Sequence, residues 1–438
     1  MGCLSWLQVH CPVGAPRWGW VAVQLGLFFL TSSALLGGLL LLASVVLVTW
    51  HKGFTAYWSD GLNRVLLVVA GLILIGATQA VSGGFAWLVL LYWLLLFWCF
   101  WGWQAYLETP EARRRCSGWL VAGTVPVLIT GLGQMVLGWR GPWSMAGDLI
   151  IWYVAPGGNP EGRLSGLFGH ANNTAAWLAL TWPLVLTHLL ESRLTWGQRG
   201  VVLVLAVLQS SCLWLTASRN GWGAMILAVP LLLGPWSWLL PLLLLALIPI
   251  VLAILPADPL SLQELAQSVV PNAIWQRFAA ESFQNRALGD TRLEMWAASI
   301  QLILERPWLG WGAIAFGQLY SLRMGFSGHF HPHNLPLDLG VSFGLPAALL
   351  LLATCFWIVM KVVRSGMFTT TLMDRGWLAA FLLLASIHAT DLPDERTNVA
   401  GWFLLAGLRA YGLAAPQRRL TGAMSGGAQT ECRFSSSN

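Results

Sequence analysis

Three histidines at alternate positions, His329, His331 and His333, run into Asn334 just ahead of an apolar stretch. An imidazole titrates near neutral pH, so one of them could move a proton in catalysis or bind a substrate. Alternate spacing also puts three rings on one face of extended chain, a pattern that could hold a metal ion. No Cys or acidic cluster nearby completes such a ligand set, and the single catalytic or substrate-binding His is the stronger reading. Arginines supply a second chemistry, because a guanidinium stays protonated and can grip a phosphate with two donors at once. Arg219 sits in Thr216-Ala217-Ser218-Arg219-Asn220-Gly221-Trp222, a junction almost too short to be a loop, with nothing acidic within ten residues. A guanidinium so placed is costly unless it meets an anion or water. Arg292 follows Asp290-Thr291 at the start of a helical pattern, where backbone N–H groups also favour anions. Arg163 ends a Gly-rich segment near a span entrance and reads equally as a headgroup anchor or an anion ligand.

These residues must be positioned by an oily chain. Of 438 residues 57% are hydrophobic and 10% charged, and the mean hydropathy is +0.66. Apolar runs, each about one bilayer thick, make this an all-α polytopic membrane protein. The runs predict twelve spans, at 18–32, 33–50, 63–80, 84–103, 118–137, 172–190, 199–217, 220–234, 237–256, 336–361, 375–390 and 398–414. Thr31-Ser32-Ser33 favours a hairpin over one long tilted helix at 18–50, and Gly234-Pro235 is the expected break in 220–256. The organisation that follows is a membrane domain over 1–256 with spans 1–9, an extracytoplasmic loop over 257–335, a second membrane portion over 336–414 with spans 10–12, and a disordered cytoplasmic tail over 415–438.

Charge checks the topology. With the N-terminus in the cytoplasm, fifteen of the 24 Lys and Arg fall inside, both lysines among them, and nine fall outside. That satisfies the positive-inside rule. The net charge of +6 is then a topology signal and gives no reason to invoke nucleic acid. Seven Cys are scattered without a CxxC or a His-Cys metal spacing, which argues against disulfide and zinc frameworks. Within 257–335, Leu293, Trp296, Ile300, Ile303 and Leu304 recur at helical spacing in a stretch too short and charged to span. It is expected to lie along the membrane surface on that face until Pro307 ends it.

In order and spacing, these segments resemble the O-antigen ligase and O-antigen polymerase superfamily of bacterial envelope proteins. The resemblance runs over roughly 160–415. It rests on the Arg163-to-Asn172 segment, Thr216-Ala217-Ser218-Arg219, Arg292-xxx-Trp296, Arg306-Pro307-Trp308-Leu309-Gly310-Trp311-Gly312, and His333-Asn334 before a Gly-containing helix. It implies a fold of about twelve helices similar to the GT-C glycosyltransferases. It also implies metal-independent, inverting transfer of a glycan from an undecaprenyl-diphosphate carrier to an acceptor hydroxyl on the outer face of the bacterial inner membrane, facing the periplasm, with no cofactor. The implied partners are the lipid-linked glycan donor, a lipid-linked or lipid A-core-type acceptor, and membrane lipids. Matched by motif, the catalytic role falls on His333 and diphosphate binding on Arg163, Arg219 and Arg292; Asn334, His331 and Asp391 are candidate supporting residues.

One departure matters. Relatives often carry an acidic residue before the glycines of the helix after the His, but this chain reads Val341-Ser342-Phe343-Gly344. A group that orients His333 must then come from elsewhere, and Asp338, Asp391 and Asp394 are the candidates. The same region also resembles a branch described as inorganic carbon (bicarbonate) transporters. A transporter should place ionisable groups at mid-membrane, whereas most here sit at span ends, His388 being nearest to an exception.

Overall fold

The computed structural model describes residues 5–234, 237, 292–325 and 330–434, with residues 5–6 and 415–434 as backbone only. The span expected at 237–256, Ser237 apart, and residues 257–291 and 326–329 of the loop 257–335, His329 among them, therefore lie outside the described residues. Fourteen α-helices carry the described chain: α1 Arg17–Phe29, α2 Ala34–Lys52, α3 Phe54–Ser59, α4 Gly61–Ala77, α5 Phe85–Gln104, α6 Pro110–Val136, α7 Ala171–Leu190, α8 Trp196–Leu215, α9 Arg219–Leu233, α10 Arg292–Glu305, α11 Ala315–Met324, α12 Leu335–Arg364, α13 Leu372–His388 and α14 Glu395–Phe434. The backbone of α14 continues helical past 415, where the sequence predicts a disordered tail. Among the described residues the all-α expectation has one exception. Trp143–Met145 (β1) and Ile150–Trp152 (β2) form an antiparallel ribbon, with Trp143 opposite Trp152, inside the loop between α6 and α7.

Among the described residues five helices are long and apolar enough to cross a membrane, namely α2, α5, α6, α8 and α12, and α4 and α9 are shorter apolar helices. The other spans of the sequence reading that fall on described residues coincide with shorter or less apolar helices, such as the 13-residue α1. Local chemistry explains the ends. Ser33 accepts from Leu36 N to start α2 after the predicted break, Thr109 with Pro110 at N1 starts α6, and Thr195 and Gln198 form a capping box on α8. Gly234, at φ 95°, closes α9 at the expected break. Small residues let the helices approach closely: a Cβ on Gly123 would lie 2.8 Å from Phe28 O, and one on Gly37 2.6 Å from Leu30 Cα.

Contacts at the two ends agree with alternating helices. At one end, Trp152 Nε1 donates to Ser32 O, Arg396 donates to Thr31 O and Leu167 O, and Val81 N donates to Trp311 O. All of these belong to segments read as outside. At the other end, Arg113 pairs with Asp374 at 2.7 Å, Arg114 with Glu191 and Arg409 with Asp60, all read as inside.

Two motifs singled out in the sequence turn out to be halves of one joint. Helix α12 is kinked at Gly344, whose φ of 78° and ψ of 167° break the helical ladder. The carbonyls freed there are taken by the turn after α10: Trp311 N donates to Val341 O at 2.8 Å, Gly312 N to Ser342 O at 3.0 Å, and Leu345 N to Pro307 O at 2.7 Å. Ser342, standing where a carboxylate was expected, is thus buried in a backbone joint. Gly310 has φ 66°, and a Cβ on it would lie 2.6 Å from Val341 O and 2.7 Å from Gly344 N. Gly310→Ala is expected to destabilise the fold by about 2 kcal/mol or more, from left-handed strain plus a backbone clash. A lowered thermal midpoint of the detergent-purified protein would show it.

Helix α10 is described over Arg292–Glu305, and it buries a different face from the apolar stripe read in the sequence. Met295, Ser299, Leu302 and Ile303 are buried, and Leu293, Ile300 and Leu304 are exposed. The buried stripe packs with Phe316, Leu319 and Tyr320 of α11 and Val341 of α12 in a small core of its own. The exposed apolar residues fit a helix lying at a lipid surface, so periodicity found both apolar faces without saying which one the protein covers.

Candidate functional site

The site is built where α12 begins and α13 ends. Asn334 caps α12, its Oδ1 accepting from Leu337 N at 3.0 Å, while its Nδ2 donates to Ala389 O just past α13 at 2.8 Å. One residue therefore ties the two helix ends together. The preceding turn is held from the other side, because Trp296 Nε1 of α10 donates to Pro332 O at 3.0 Å. His333 lies between these ties with a left-handed φ of 51°. Its ring meets that of His331 edge-on at 4.5 Å.

Asp391 lies three residues past α13, its N–H returning to Ile387 O. It is 6% exposed and its carboxylate is saturated. Oδ1 meets His333 Nδ1 at 2.7 Å and accepts from Leu392 N at 3.0 Å. Oδ2 accepts from Arg292 Nη2 at 3.2 Å and Asn172 Nδ2 at 3.0 Å. Burial works to raise the pKa of this carboxyl. The hydrogen bond and charge of His333, the charge of Arg292 and the Leu392 N–H together outweigh it, and the group sits below its ordinary value. Asp391 is therefore ionised at neutral pH. It accepts from Nδ1–H and leaves Nε2 as the basic nitrogen of His333.

The network continues inward. Asn172 Oδ1 accepts from Arg163 Nη2 at 2.7 Å, and Arg163 Nε donates to Thr216 O at 2.8 Å. Arg163 is 5% exposed, so both the segment before α7 and the junction before α9 are tied to the same guanidinium. Thr216 leads into Ser218, which caps α9, and Arg219 is the first residue of that helix. Arg219 is exposed and has no hydrogen bond or ion pair among the described residues.

The three arginines therefore stand in different states. Arg163 is buried and engaged, Arg292 is partly exposed and paired with Asp391, and Arg219 is open. None of them lines the polar cavity of about 450 Å³ beside His333, whose walls include His170, Asn173, His331, Asp338, Asp391 and Asp394. Hydrogen-bonding and acidic groups of this kind suit hydroxyls better than a diphosphate.

Of the three carboxylates considered as partners for His333, Asp391 is the one in contact. Asp394 pairs with Arg396 at 2.7 Å and caps α14 through Thr397 N. Asp338 lines the cavity from the first turn of α12. Asn172 is the site residue that sequence reasoning missed. The cap of α7 is His170, whose Nδ1 accepts from Asn172 N at 3.2 Å. The amide of Asn172 is then free to bridge Arg163 and Asp391. Polar residues directly before an apolar span were the available signal.

Residues 201–352 match the O-antigen ligase family, and no curated protein matches the chain. The matched region contains Arg219, Arg292, His333 and Asn334. Arg163, Asn172 and Asp391 lie outside it and reach it through the contacts described above.

Proposed function

We propose that this chain, whose residues 201–352 match the O-antigen ligase family, transfers a glycan from an undecaprenyl-diphosphate carrier to an acceptor hydroxyl at the periplasmic face of the bacterial inner membrane. The observation that carries this reading is the His333–Asp391 pair at 2.7 Å on the rim of a polar cavity, with a guanidinium on the far carboxylate oxygen. An acceptor hydroxyl in the cavity gives its proton to His333 Nε2 as its oxygen attacks C1 of the donor sugar. The C1–O bond to the diphosphate breaks, and the leaving group takes the electron pair. In-line attack inverts the anomeric centre. Asp391 fixes the ring and stabilises the imidazolium that forms.

The leaving diphosphate gains negative charge and needs donors that are already charged and in place. Arg219, open at the start of α9, is the first of them. Arg292 is the second, able to turn from Asp391 toward an incoming phosphate. Arg163 has both Nε and Nη2 engaged, so its task here is to hold Asn172, and through it Asp391, against the Thr216 carbonyl. Asn334 positions His333 by locking the helix ends on either side of it.

Arg219→Ala tests the proposal with little risk to the fold, since the side chain is exposed. Surface glycan chains are expected to fall by about two orders of magnitude, the cost of removing one preorganised charge-stabilising donor, while lipid-linked intermediates accumulate. An unchanged glycan ladder with a loss of bicarbonate uptake would reject glycan transfer in favour of inorganic carbon transport.

A further inference from the structure

The end of the bundle opposite His333 holds a second built cluster. A groove of about 540 Å³ opens between α4, α12 and α14. At its mouth two cations converge on one indole: Lys361 Nζ lies 5.3 Å and the Arg409 guanidinium carbon 5.5 Å from the centre of the Trp357 ring. The Lys361 stem is held along α14, where a Cβ on Gly412 would sit 3.9 Å from its Cγ and Cδ.

Charge in the groove is unbalanced. The Arg409 side chain is 9% exposed and its nearest carboxylate oxygens, both on Asp60, are at 3.3 and 3.5 Å. That carboxylate is already committed, because Asp60 Oδ1 accepts from Leu62 N at 2.8 Å to cap α4. Arg409 Nε is buried without any acceptor among the described residues. An orphaned donor on a buried guanidinium is costly, and an anionic oxygen entering the groove would remove that cost. Two cations and one carboxylate line the groove, so the local charge also favours an anion.

We propose that this groove binds the phosphate diester of an anionic phospholipid. The lipid source is favoured over a free phosphate by what surrounds the cations. Trp357 is 47% exposed and Leu413 47% exposed, and Val65 lines the same wall. An indole beside two basic residues at a helix end is an interfacial arrangement, and the apolar wall gives an acyl chain a surface to follow. A soluble anion would gain nothing from that wall.

The test compares phosphatidylglycerol with phosphatidylcholine on the purified full chain, reading retained lipid by native mass spectrometry and the thermal midpoint in parallel. Inorganic phosphate is the soluble arm. The expected result is preferential retention of phosphatidylglycerol, weakened about five-fold by Lys361→Gln, with no response to inorganic phosphate. Arg409→Gln should weaken retention further. Because Arg409 is buried and its loss risks the fold, the decision rests on Lys361→Gln. Equal retention of the two lipids, or retention of phosphatidylglycerol unchanged in Lys361→Gln, would overturn the proposal. Stabilisation by inorganic phosphate equal to that by phosphatidylglycerol would assign the groove to a free anion and overturn it as well.

Discussion

Replacing His333 by alanine is expected to lower glycan transfer by roughly 10²- to 10⁴-fold, the range typical of removing a positioned general base. The argument rests on what no neighbour can replace. His331 touches the His333 ring, but Asp391 aims its carboxylate at His333 Nδ1, and a base without that partner is neither oriented nor stabilised once protonated. Alanine also has to accept the left-handed φ of 51° at this position, which adds strain. His333→Asn separates the two effects. Asparagine tolerates the left-handed region and its amide can still donate to Asp391, but it cannot take a proton. Transfer by purified protein should therefore be lost in both variants, with a normal thermal midpoint in His333→Asn.

Asp391→Ala is the second large effect, expected to cost about 10²-fold or more in transfer and to reduce stability as well. The carboxylate is the shared acceptor for His333, Arg292, Asn172 and Leu392 N, so removing it strands four part-buried donors at once. Asp391→Asn keeps the shape but offers His333 one acceptor oxygen and an N–H, favouring the wrong tautomer. The pH dependence has a definite sign. The Asp391 pKa is depressed in the fold, so the stability it contributes is present at neutral pH and is lost only as pH falls through that lowered value. Thermal midpoints of wild type and Asp391→Asn should differ at neutral pH and converge as the solution is made strongly acidic.

Much of the architecture was legible in the residues themselves. The hairpin at Thr31-Ser32-Ser33 and the end of α9 at Gly234 each follow from local chemistry, which a single chain displays openly. Positive-inside counting grouped the loops that the structure finds in contact at each end. What periodicity could not say is which of two apolar faces of α10 is covered, because the covering surface belongs to α11 and α12. The joint between Trp311-Gly312 and Val341-Ser342 was likewise visible only as two separate motifs, since its hydrogen bonds run through backbone freed by a kink.

The candidate site divides in the same way. The family resemblance named His333 and the three arginines as site residues, but the state of each arginine was not legible, because burial and partners depend on distant segments. Asp391 stood among three carboxylates, and sequence could not choose between them. The choice is made by the end of α13, 58 residues from His333 in sequence. Asn172 lies 219 residues from the Asp391 it supports, and nothing local marks that partnership.

The central claim is that His333 and Asp391 act as one unit in glycan transfer, and a double-mutant cycle tests it most directly. Single-turnover release of undecaprenyl diphosphate from a lipid-linked donor would be measured for wild type, His333→Asn, Asp391→Asn and the double variant. A shared function predicts that the double variant is scarcely slower than His333→Asn alone, because the orienting group has nothing left to orient. Losses that multiply in the double variant, or a His333→Asn protein that releases the carrier at the wild-type rate, would contradict the account.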